Sequence, residues 1–272
     1  MNVNKMKKLL LIYCSILIIV ISSFLVLKNL PSKKTDRIPI ITFHRLVQNN
    51  IKKIKYKDNE WVGSIDTFEN MMKYIYENNY KTLSSEELYD WLNKKIELPK
   101  KSVMITFDDG FYEDYYLVYP ILKKYKLKAI TFVVGSRIKN KTQDYDKNKT
   151  LYIGLDKINE IRKDYPIFEI QSHSFNLHYY TKNGNHAIKS KSIEELENDF
   201  KNNEILGFST MAYPYGDYNE KIKKVLKKNN YKMAFRFSPS GYATRDSDLF
   251  AIPRIKIDGT KTLDDLKKWL NY

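Results

Sequence analysis

Two acidic residues and two histidines in this sequence have the types and spacing to hold a metal ion and activate water. Asp108 and Asp109 are adjacent and precede Gly110, and His173 and His178 lie in one short segment. One carboxylate and two imidazoles form a three-ligand set that leaves a coordination position open, while the second carboxylate can act as a base. This combination is typical of a metal-dependent hydrolase.

The spacing of these residues requires irregular backbone on both sides. His173 and His178 would be about 140° apart on a helix, so only a curved loop can bring them together. Neighbouring residues of a strand point to opposite faces, but Gly110 permits a sharp turn directly after Asp109. We therefore expect both carboxylates to reach the same opening.

Strand and helix patterns alternate along the chain. We predict helices over 64–79, 112–125, 155–163 and 219–229, with others opening after Ser84, Ser192 and Thr262; Ser84 with Glu87 and Ser192 with Glu195 have capping-box spacing. Segments 138–150 and 180–191 are polar and predict loops that border a groove. We predict strands over residues 38–43, 103–107, 129–134, 167–171, 208–212, 232–237 and 251–257.

Repeated βα units predict an α/β fold with a parallel sheet, and their number suits a distorted or incomplete (β/α) barrel. Barrel enzymes place their chemistry at the carboxyl ends of the strands. His44, Asp108, His173 and the segment 213–215 each follow a predicted strand. The sequence therefore places all four at one rim.

The first 37 residues differ in composition from the rest. Residues 1–8 form a short basic tail, and residues 9–27 form an uncharged apolar run just long enough to cross a bilayer. No small-residue cleavage pattern follows, which favours one N-terminal transmembrane anchor over a signal peptide. After a linker over 28–37, residues 38–272 form one catalytic domain. We expect a single-pass protein of the cell membrane with an extracellular domain, or a secreted one if the segment is cleaved.

The charge of the chain limits the kinds of molecule that it is expected to bind, and its cysteine content limits the disulfides that it can form. The 272 residues carry a formal net charge of +15, which suits anionic membranes or cell-wall polymers, although surface lysines of a compositionally biased chain would give the same value. Basic residues are scattered among acidic ones without a nucleic-acid-binding signature, so nucleic acid is not an expected partner. Cys14 is the only cysteine, so no disulfide can form within the chain.

Three segments resemble the motifs of NodB-homology polysaccharide deacetylases, carbohydrate esterase family 4: residues 106–110, 173–178 and 213–216. The resemblance covers about residue 38 to the last residue. It implies a distorted (β/α) barrel that removes N-acetyl groups from N-acetylglucosamine polymers. It further implies that Asp109, His173 and His178 bind a divalent metal, Zn²⁺ or else Co, Ni or Fe. Asp108 would be the general base and Tyr215 the oxyanion stabiliser, with Tyr213 and Pro214 contacting substrate.

The chain departs from the common family pattern in ways that resemble one branch. Ala212 stands where an Arg usually holds the base, no histidine follows His186, and four residues rather than three separate the two metal-type histidines. These features resemble the deacetylases of poly-β-1,6-N-acetylglucosamine, a biofilm polysaccharide, in which a histidine after the first strand is the proposed acid. His44 fits that position. Arg254, with Arg236 behind it, is our candidate to orient Asp108.

Other interpretations remain open from the sequence. A peptidoglycan N-acetylglucosamine deacetylase is the alternative substrate assignment, and a catalytically inactive polysaccharide-binding protein is the alternative class. A glycosidase fits poorly, because its two carboxylates must flank a bond about 5 Å or more apart. His44 could be a core histidine, and Arg254 could form a surface salt bridge. We expect His186 to be exposed to solvent. We expect Trp61, Trp91 and Trp269 to pack in the core or on the surface.

Overall fold

The structure is a computed structural model that describes residues 34–203 and 206–271, together with Tyr13, Ile16 and Leu17. The basic tail 1–8, nearly all of the apolar run 9–27 and most of the linker lie outside the described residues. Within the described part, no helix has the length and apolarity needed to span a bilayer. Residues from Thr35 onward form one compact unit.

The strands of the described part are β1 (Arg37–Ile38), β2 (Ile40–Phe43), β3 (Arg45–Val47), β4 (Val62–Ser64), β5 (Lys81–Thr82), β6 (Ser102–Asp109), β7 (Ala129–Val133), β8 (Phe168–Ser172), β9 (Thr210–Ala212), β10 (Met233–Phe235), β11 (Ala243–Thr244) and β12 (Ile255–Lys256). A parallel sheet with strand order β10-β9-β8-β7-β6-β2-β12 forms the centre of this unit, and β5 pairs with β6 from outside that path. Phe235 in β10 makes one further parallel bridge to Ile252, just ahead of β12, so the curled sheet nearly closes. The predicted incomplete barrel is therefore a curled parallel half-barrel.

Helices connect the strands and cover the outside of the sheet. The predicted capping boxes at Ser84 and Ser192 are both present, and a third one forms at Thr262. The predicted helix over 112–125 contains a π-helical turn, Asp114–Val118. The α-helices are α1 (Asn49–Lys55), α2 (Ile65–Glu77), α3 (Ser85–Leu92), α4 (Tyr119–Tyr125), α5 (Leu155–Asp164), α6 (Ala187–Ser190), α7 (Ile193–Asn202), α8 (Glu220–Lys228) and α9 (Leu263–Leu270).

The two faces of β6 show how the sheet separates packing from chemistry. Ile105 and Phe107 belong to the core between sheet and helices, where Phe107 stacks on Phe43 at 5.6 Å. Side chains alternate along a strand, so Thr106 and Asp108 share the opposite face. There the Thr106 and Thr42 hydroxyl oxygens are 2.8 Å apart. The interior of the half-barrel is therefore polar near the carboxyl ends of its strands.

The structure differs from the sequence prediction in short elements. Helix α1 and strands β3, β4, β5 and β11 were not predicted, and α6 interrupts the predicted loop 180–191. Elements of two to seven residues carry too few positions for a hydrophobic period to emerge. The last predicted strand, 251–257, contains only the two-residue β12.

The turn after β6 depends on left-handed backbone. Asp109 has φ +77° and Gly110 has φ +66°, so the turn begins one residue earlier than the sequence predicted. A Cβ on Gly110 would lie 2.6 Å from Val133 Cγ1 in the neighbouring strand β7. Only glycine therefore fits this corner.

We predict that Gly110→Ala lowers the free energy of unfolding by about 2–5 kcal/mol, because left-handed strain adds to a clash with Val133. Gly184→Ala is the matched control, since Gly184 has φ +75° but no atom within 4 Å of an added Cβ. Gly184→Ala should lower the free energy of unfolding by only about 1–2 kcal/mol. Urea unfolding measures both values, and equal losses would contradict the clash at β7.

Candidate active site

Asp108 is held by a buried arginine that comes from a distant part of the sequence. Arg254 Nη1 and Nη2 donate to the two carboxylate oxygens of Asp108, each at 2.7 Å. Arg254 is fully buried and stands just ahead of β12, which pairs with β2, which in turn pairs with β6. The structure therefore contains the expected ion pair between Arg254 and Asp108. Arg236 contributes its carbonyl, which accepts from Arg254 Nε at 3.4 Å.

This ion pair sets the charge of Asp108. Burial alone would raise the pKa of the Asp108 carboxyl, but the Arg254 charge and its hydrogen bonds, with smaller contributions from His173 and His44, outweigh it. The pKa of Asp108 therefore lies well below its usual range. Asp108 is therefore a carboxylate near neutral pH.

Asp109, His173 and His178 converge on one point. One potential ligand atom from each lies within 4.8 Å of the others, and His178 Nε2 is 3.3 Å from Asp109 Oδ1. His173 Nδ1 is 2.8 Å from the Ala212 carbonyl oxygen, which fixes Nδ1 as the protonated nitrogen and leaves Nε2 available. A carboxylate with two imidazoles is a donor set that suits Zn²⁺ and also accepts other divalent transition metals. The residues present therefore fit such an ion.

A loop of unusual backbone brings the two histidines together, as their spacing required. Ser174 has φ +66°, and its hydroxyl accepts from the Leu177 amide at 3.0 Å. The carboxylate of Asp199, on α7, accepts from the Phe175 and Asn176 amides at 2.8 and 2.7 Å. Burial raises the pKa of Asp199 to about 6, although both amide bonds lower it. Sequence reasoning missed Asp199, because nothing in α7 marks it as a partner of this loop.

His44 follows β2 and faces the same interior. Its Nε2 is 3.9 Å from Asp108 Oδ2, and its ring lies 4.8 Å from Trp61 and 5.7 Å from Phe237. Burial lowers the pKa of His44, while the charge of Asp108 acts in the opposite direction. Aromatic walls around a partly desolvated imidazole make it a strong proton donor when it is protonated.

The segment after β9 divides between the site and the core. Tyr215 has φ +60°, and its ring centroid lies 4.5 Å from that of His178. Tyr213 is fully buried, and its hydroxyl donates to the Phe250 carbonyl at 2.8 Å; Pro214 is buried as well. The predicted substrate contacts of Tyr213 and Pro214 are therefore corrected to packing roles, because neither side chain reaches the cleft.

Arg137 is a site residue that the sequence reading missed. Its Nη1 lies 3.2 Å from Asp109 Oδ1, its Nη2 lies 3.4 Å from His178 Nδ1, and its guanidinium covers the Tyr152 ring at 4.6 Å. It follows β7 at the same rim as the other residues, which was the available signal. The predicted ligands therefore have a cation beside them.

A cleft of about 640 Å³ opens over these residues. Both polar loops contribute to its wall, through Thr150 and Tyr180, and Trp61 lines it with a side chain that is 44% exposed. His186 also lines the cleft, with a side chain only 25% exposed, which corrects its expected place in solvent. Trp91, in contrast, is fully buried, and Trp269 packs against Tyr242.

A curled parallel sheet with carboxylates, imidazoles and a buried arginine at its rim defines a hydrolase of the barrel type. The chain belongs to the polysaccharide deacetylase family, because the family model described as polysaccharide deacetylase matches residues 95–234, half of the sequence. It is therefore an enzyme that hydrolyses amide bonds other than peptide bonds, as the resemblance implied.

Two named relatives illustrate the family. The chain is 28% identical over 232 residues to the putative polysaccharide deacetylase YxkH of Bacillus subtilis, covering 83% of this chain and 73% of that protein. It is 29% identical over 217 residues to the poly-beta-1,6-N-acetyl-D-glucosamine N-deacetylase of Staphylococcus aureus, covering 74% of this chain and 70% of the relative.

Solved structures show the same fold. The Streptococcus pyogenes deacetylase PplD in complex with acetate superposes with a TM-score of 0.72 at 23% identity, over 88% of this chain and 99% of that one. IcaB from Ammonifex degensii superposes with a TM-score of 0.70 at 19% identity, over 89% and 100%. At these identities the likeness establishes the fold alone.

We predict that Asp199→Ala weakens the binding of Zn²⁺ or Co²⁺ by about 10–100-fold. The loop between His173 and His178 would lose the carboxylate that accepts hydrogen bonds from two of its backbone amides. Calorimetric titration of the apo protein measures the affinity. Asn198→Ala is the control, since Asn198 is exposed on the same helix and should leave the affinity unchanged. Equal affinities of folded Asp199→Ala and wild type would contradict a supporting role for Asp199.

Proposed function

We propose that this protein is a metal-dependent deacetylase that removes N-acetyl groups from poly-β-1,6-N-acetylglucosamine. The observation that carries the proposal is the buried Asp108–Arg254 pair beside the converging Asp109, His173 and His178 at the floor of one cleft. The relative from Staphylococcus aureus, named for this substrate, supports the choice of polymer. Ala212, where the common family pattern has an arginine, resembles the same branch, and in this chain Arg254 pairs with Asp108 instead.

In this proposal Asp109, His173 and His178 hold the divalent metal, Zn²⁺ being the ion that the donor set suits best. The metal would supply Lewis acidity toward the acetyl carbonyl and acidify a water molecule. The ligands are oriented by this chain alone: the Ala212 carbonyl fixes the His173 tautomer, and Asp199 fixes the loop that ends at His178.

Asp108 acts as the general base. Its lowered pKa makes it a weak base in isolation, so its contribution depends on being ionised, oriented and close to an acidified water. Arg254 occupies both carboxylate oxygens and thereby fixes the plane of the carboxyl group. Asp108 Oδ2, one of the two oxygens that can accept the proton, lies 3.9 Å from His44 Nε2.

His44 acts as the general acid that protonates the leaving amine. Burial lowers its pKa, so the protonated form is scarcer near neutral pH but gives up its proton more readily. Tyr215 lies over His178 at the mouth of the cleft and is positioned to stabilise the developing oxyanion. The set of acid, base, ligands and oxyanion donor makes a catalytically inactive binding protein the weaker assignment.

We further propose that residues 9–27 anchor the enzyme in the cell membrane with the catalytic domain outside the cell. The support is the length and apolarity of this run and the lysines that precede it. An enzyme that acts on an exported polymer works where that polymer is exposed. If the segment is cleaved, the domain is secreted and meets the same substrate.

Acetate release tests the function directly. Purified protein should release acetate from β-1,6-linked N-acetylglucosamine oligomers, stop when a chelator is added, and recover with Zn²⁺ or Co²⁺. Peptidoglycan fragments and β-1,4-linked oligomers serve as alternative substrates in parallel. Faster release from those would reassign the substrate, and no metal-dependent acetate from any of them would overturn the deacetylase proposal.

Two variants separate base from ligand in this assay. Asp108→Asn should keep its metal and lose about 10²–10⁴-fold in kcat, because the amide cannot accept a proton. His178→Ala should lose metal as well as activity. Asp246→Asn, at an exposed site, is the control. Unchanged metal content in His178→Ala would refute the ligand assignment.

We predict that Arg254→Met shifts the acidic limb of the kcat/KM profile to higher pH. Burial raises the pKa of Asp108 and the Arg254 charge lowers it, so removing Arg254 leaves the raising effect in place. A base must be deprotonated, so activity is then lost at a higher pH on acidification. Arg236→Met is the matched control, because the side chain of Arg236 contacts carbonyls of Ala251 and Pro239 but not Asp108. An acidic limb identical to wild type would show that Arg254 does not hold the charge of Asp108.

A further inference from the structure

A short hairpin covers one side of the cleft beyond the residues with proposed catalytic roles. Tyr180 and His186 form an antiparallel bridge at its base, and the Thr181 amide donates to the Asn185 carbonyl at 2.8 Å. The hairpin therefore has a defined backbone, and it places the side chains of Tyr180 and His186 together on the wall of the cleft.

His186 is oriented by a carboxylate that the catalytic scheme does not use. Its Nδ1 lies 2.5 Å from Asp217 Oδ2, and Lys189 Nζ lies 3.6 Å from the same oxygen. A carboxylate can only accept, so Nδ1 carries the proton and Nε2 is the ring atom left for a ligand. Within the described part of the chain, Asp217 is the sole hydrogen-bond partner of the His186 side chain.

The ring of Tyr215 lies between His186 and the predicted metal ligand His178. Its ring stacks on Tyr215 with centroids 4.2 Å apart and planes at 7°, and the Tyr215 ring contacts His178 at 4.5 Å. Tyr180 lies 4.9 Å from His186 and 4.8 Å from Tyr215, and 59% of its side chain is exposed. An oriented imidazole beside an exposed aromatic face can offer a sugar a hydrogen bond and a stacking surface.

We propose that His186, fixed by Asp217, binds the sugar residue next to the one being deacetylated and so makes the enzyme prefer polymer over small acetylated compounds. This inference rests on the proposed function, because it assigns a polysaccharide subsite to the same cleft. Tyr215 separates His186 from the ligand cluster, so His186 does not reach the reacting acetyl group. Its Nε2 is available to a hydroxyl of the neighbouring sugar, with Tyr180 beside it.

The test compares a polymeric substrate with a small one in the metal-loaded, full-length enzyme. For His186→Ala we expect kcat/KM on a β-1,6-linked N-acetylglucosamine pentamer to fall about tenfold, mostly through KM, as one lost hydrogen bond implies. Hydrolysis of para-nitrophenyl acetate should be unchanged. An equal loss on both substrates would mean a catalytic or structural role and would overturn the inference, as would no loss on the pentamer.

Two further variants guard against a folding artefact. His186→Phe keeps an aromatic ring against Tyr215 but has no ring nitrogen, so it should lose the preference for the pentamer as fully as His186→Ala. Tyr179→Ala is the matched control, because Tyr179 is exposed on the same hairpin and does not line the cleft. Wild-type pentamer kinetics in His186→Phe would overturn the hydrogen-bonding role.

Direct binding keeps this inference separate from the proposed reaction. Calorimetry with the pentamer and chelator-treated protein should show about tenfold weaker binding for His186→Ala than for wild type. If wild type binds the pentamer but never releases acetate, the proposed reaction fails while the sugar subsite stands. If both proteins bind the pentamer equally, the subsite fails even when acetate release is intact.

Discussion

The ion pair between Asp108 and Arg254 is the interaction on which the rest of the site depends. Both groups are buried, and a buried charge without its partner is destabilising, so removing either group alone lowers the stability of the fold. The pair requires β12 beside β2 and β2 beside β6, which is the order that the curled sheet provides. Sheet topology and the charge of the base are therefore one constraint.

Backbone strain marks the same rim. Three residues other than glycine adopt left-handed backbone at or just beyond the carboxyl ends of central strands: Asp109 at the end of β6, Ser174 beyond β8 and Tyr215 beyond β9. Such conformations are unfavourable for these residue types and persist only when the surroundings hold them. Those surroundings are the hydrogen bonds that backbone amides after Ser174 donate to the Asp199 carboxylate, and the ring contacts around Tyr215. The fold thus tolerates unfavourable backbone conformations that orient side chains into the cleft.

The sequence predicted the alternating elements and the convergence of Asp108, Asp109, His173 and His178, because strand ends of a parallel sheet meet at one edge. Arg254 was inferred only from its place in the segment 252–255, within the last predicted strand. The prediction that Tyr213 and Pro214 contact substrate was wrong, because residues that are adjacent in one sequence motif can differ in solvent exposure.

His186 was wrongly predicted to lie in solvent, and Arg137 and Asp199 were not predicted as site residues. Their contacts join distant segments, and no local pattern records such contacts.

The nearly closed sheet has a consequence for the order in which the protein is made. The base resides in β6, whereas its arginine lies 146 residues further along the chain, just ahead of β12. A nascent chain that has already formed β2, β6, β7 and β8 would still carry an unpaired carboxylate in its interior. During synthesis the charge of Asp108 is therefore compensated only after the segment around Arg254 has been made, and a chain truncated before that segment would keep an unpaired buried carboxylate, which is strongly destabilising.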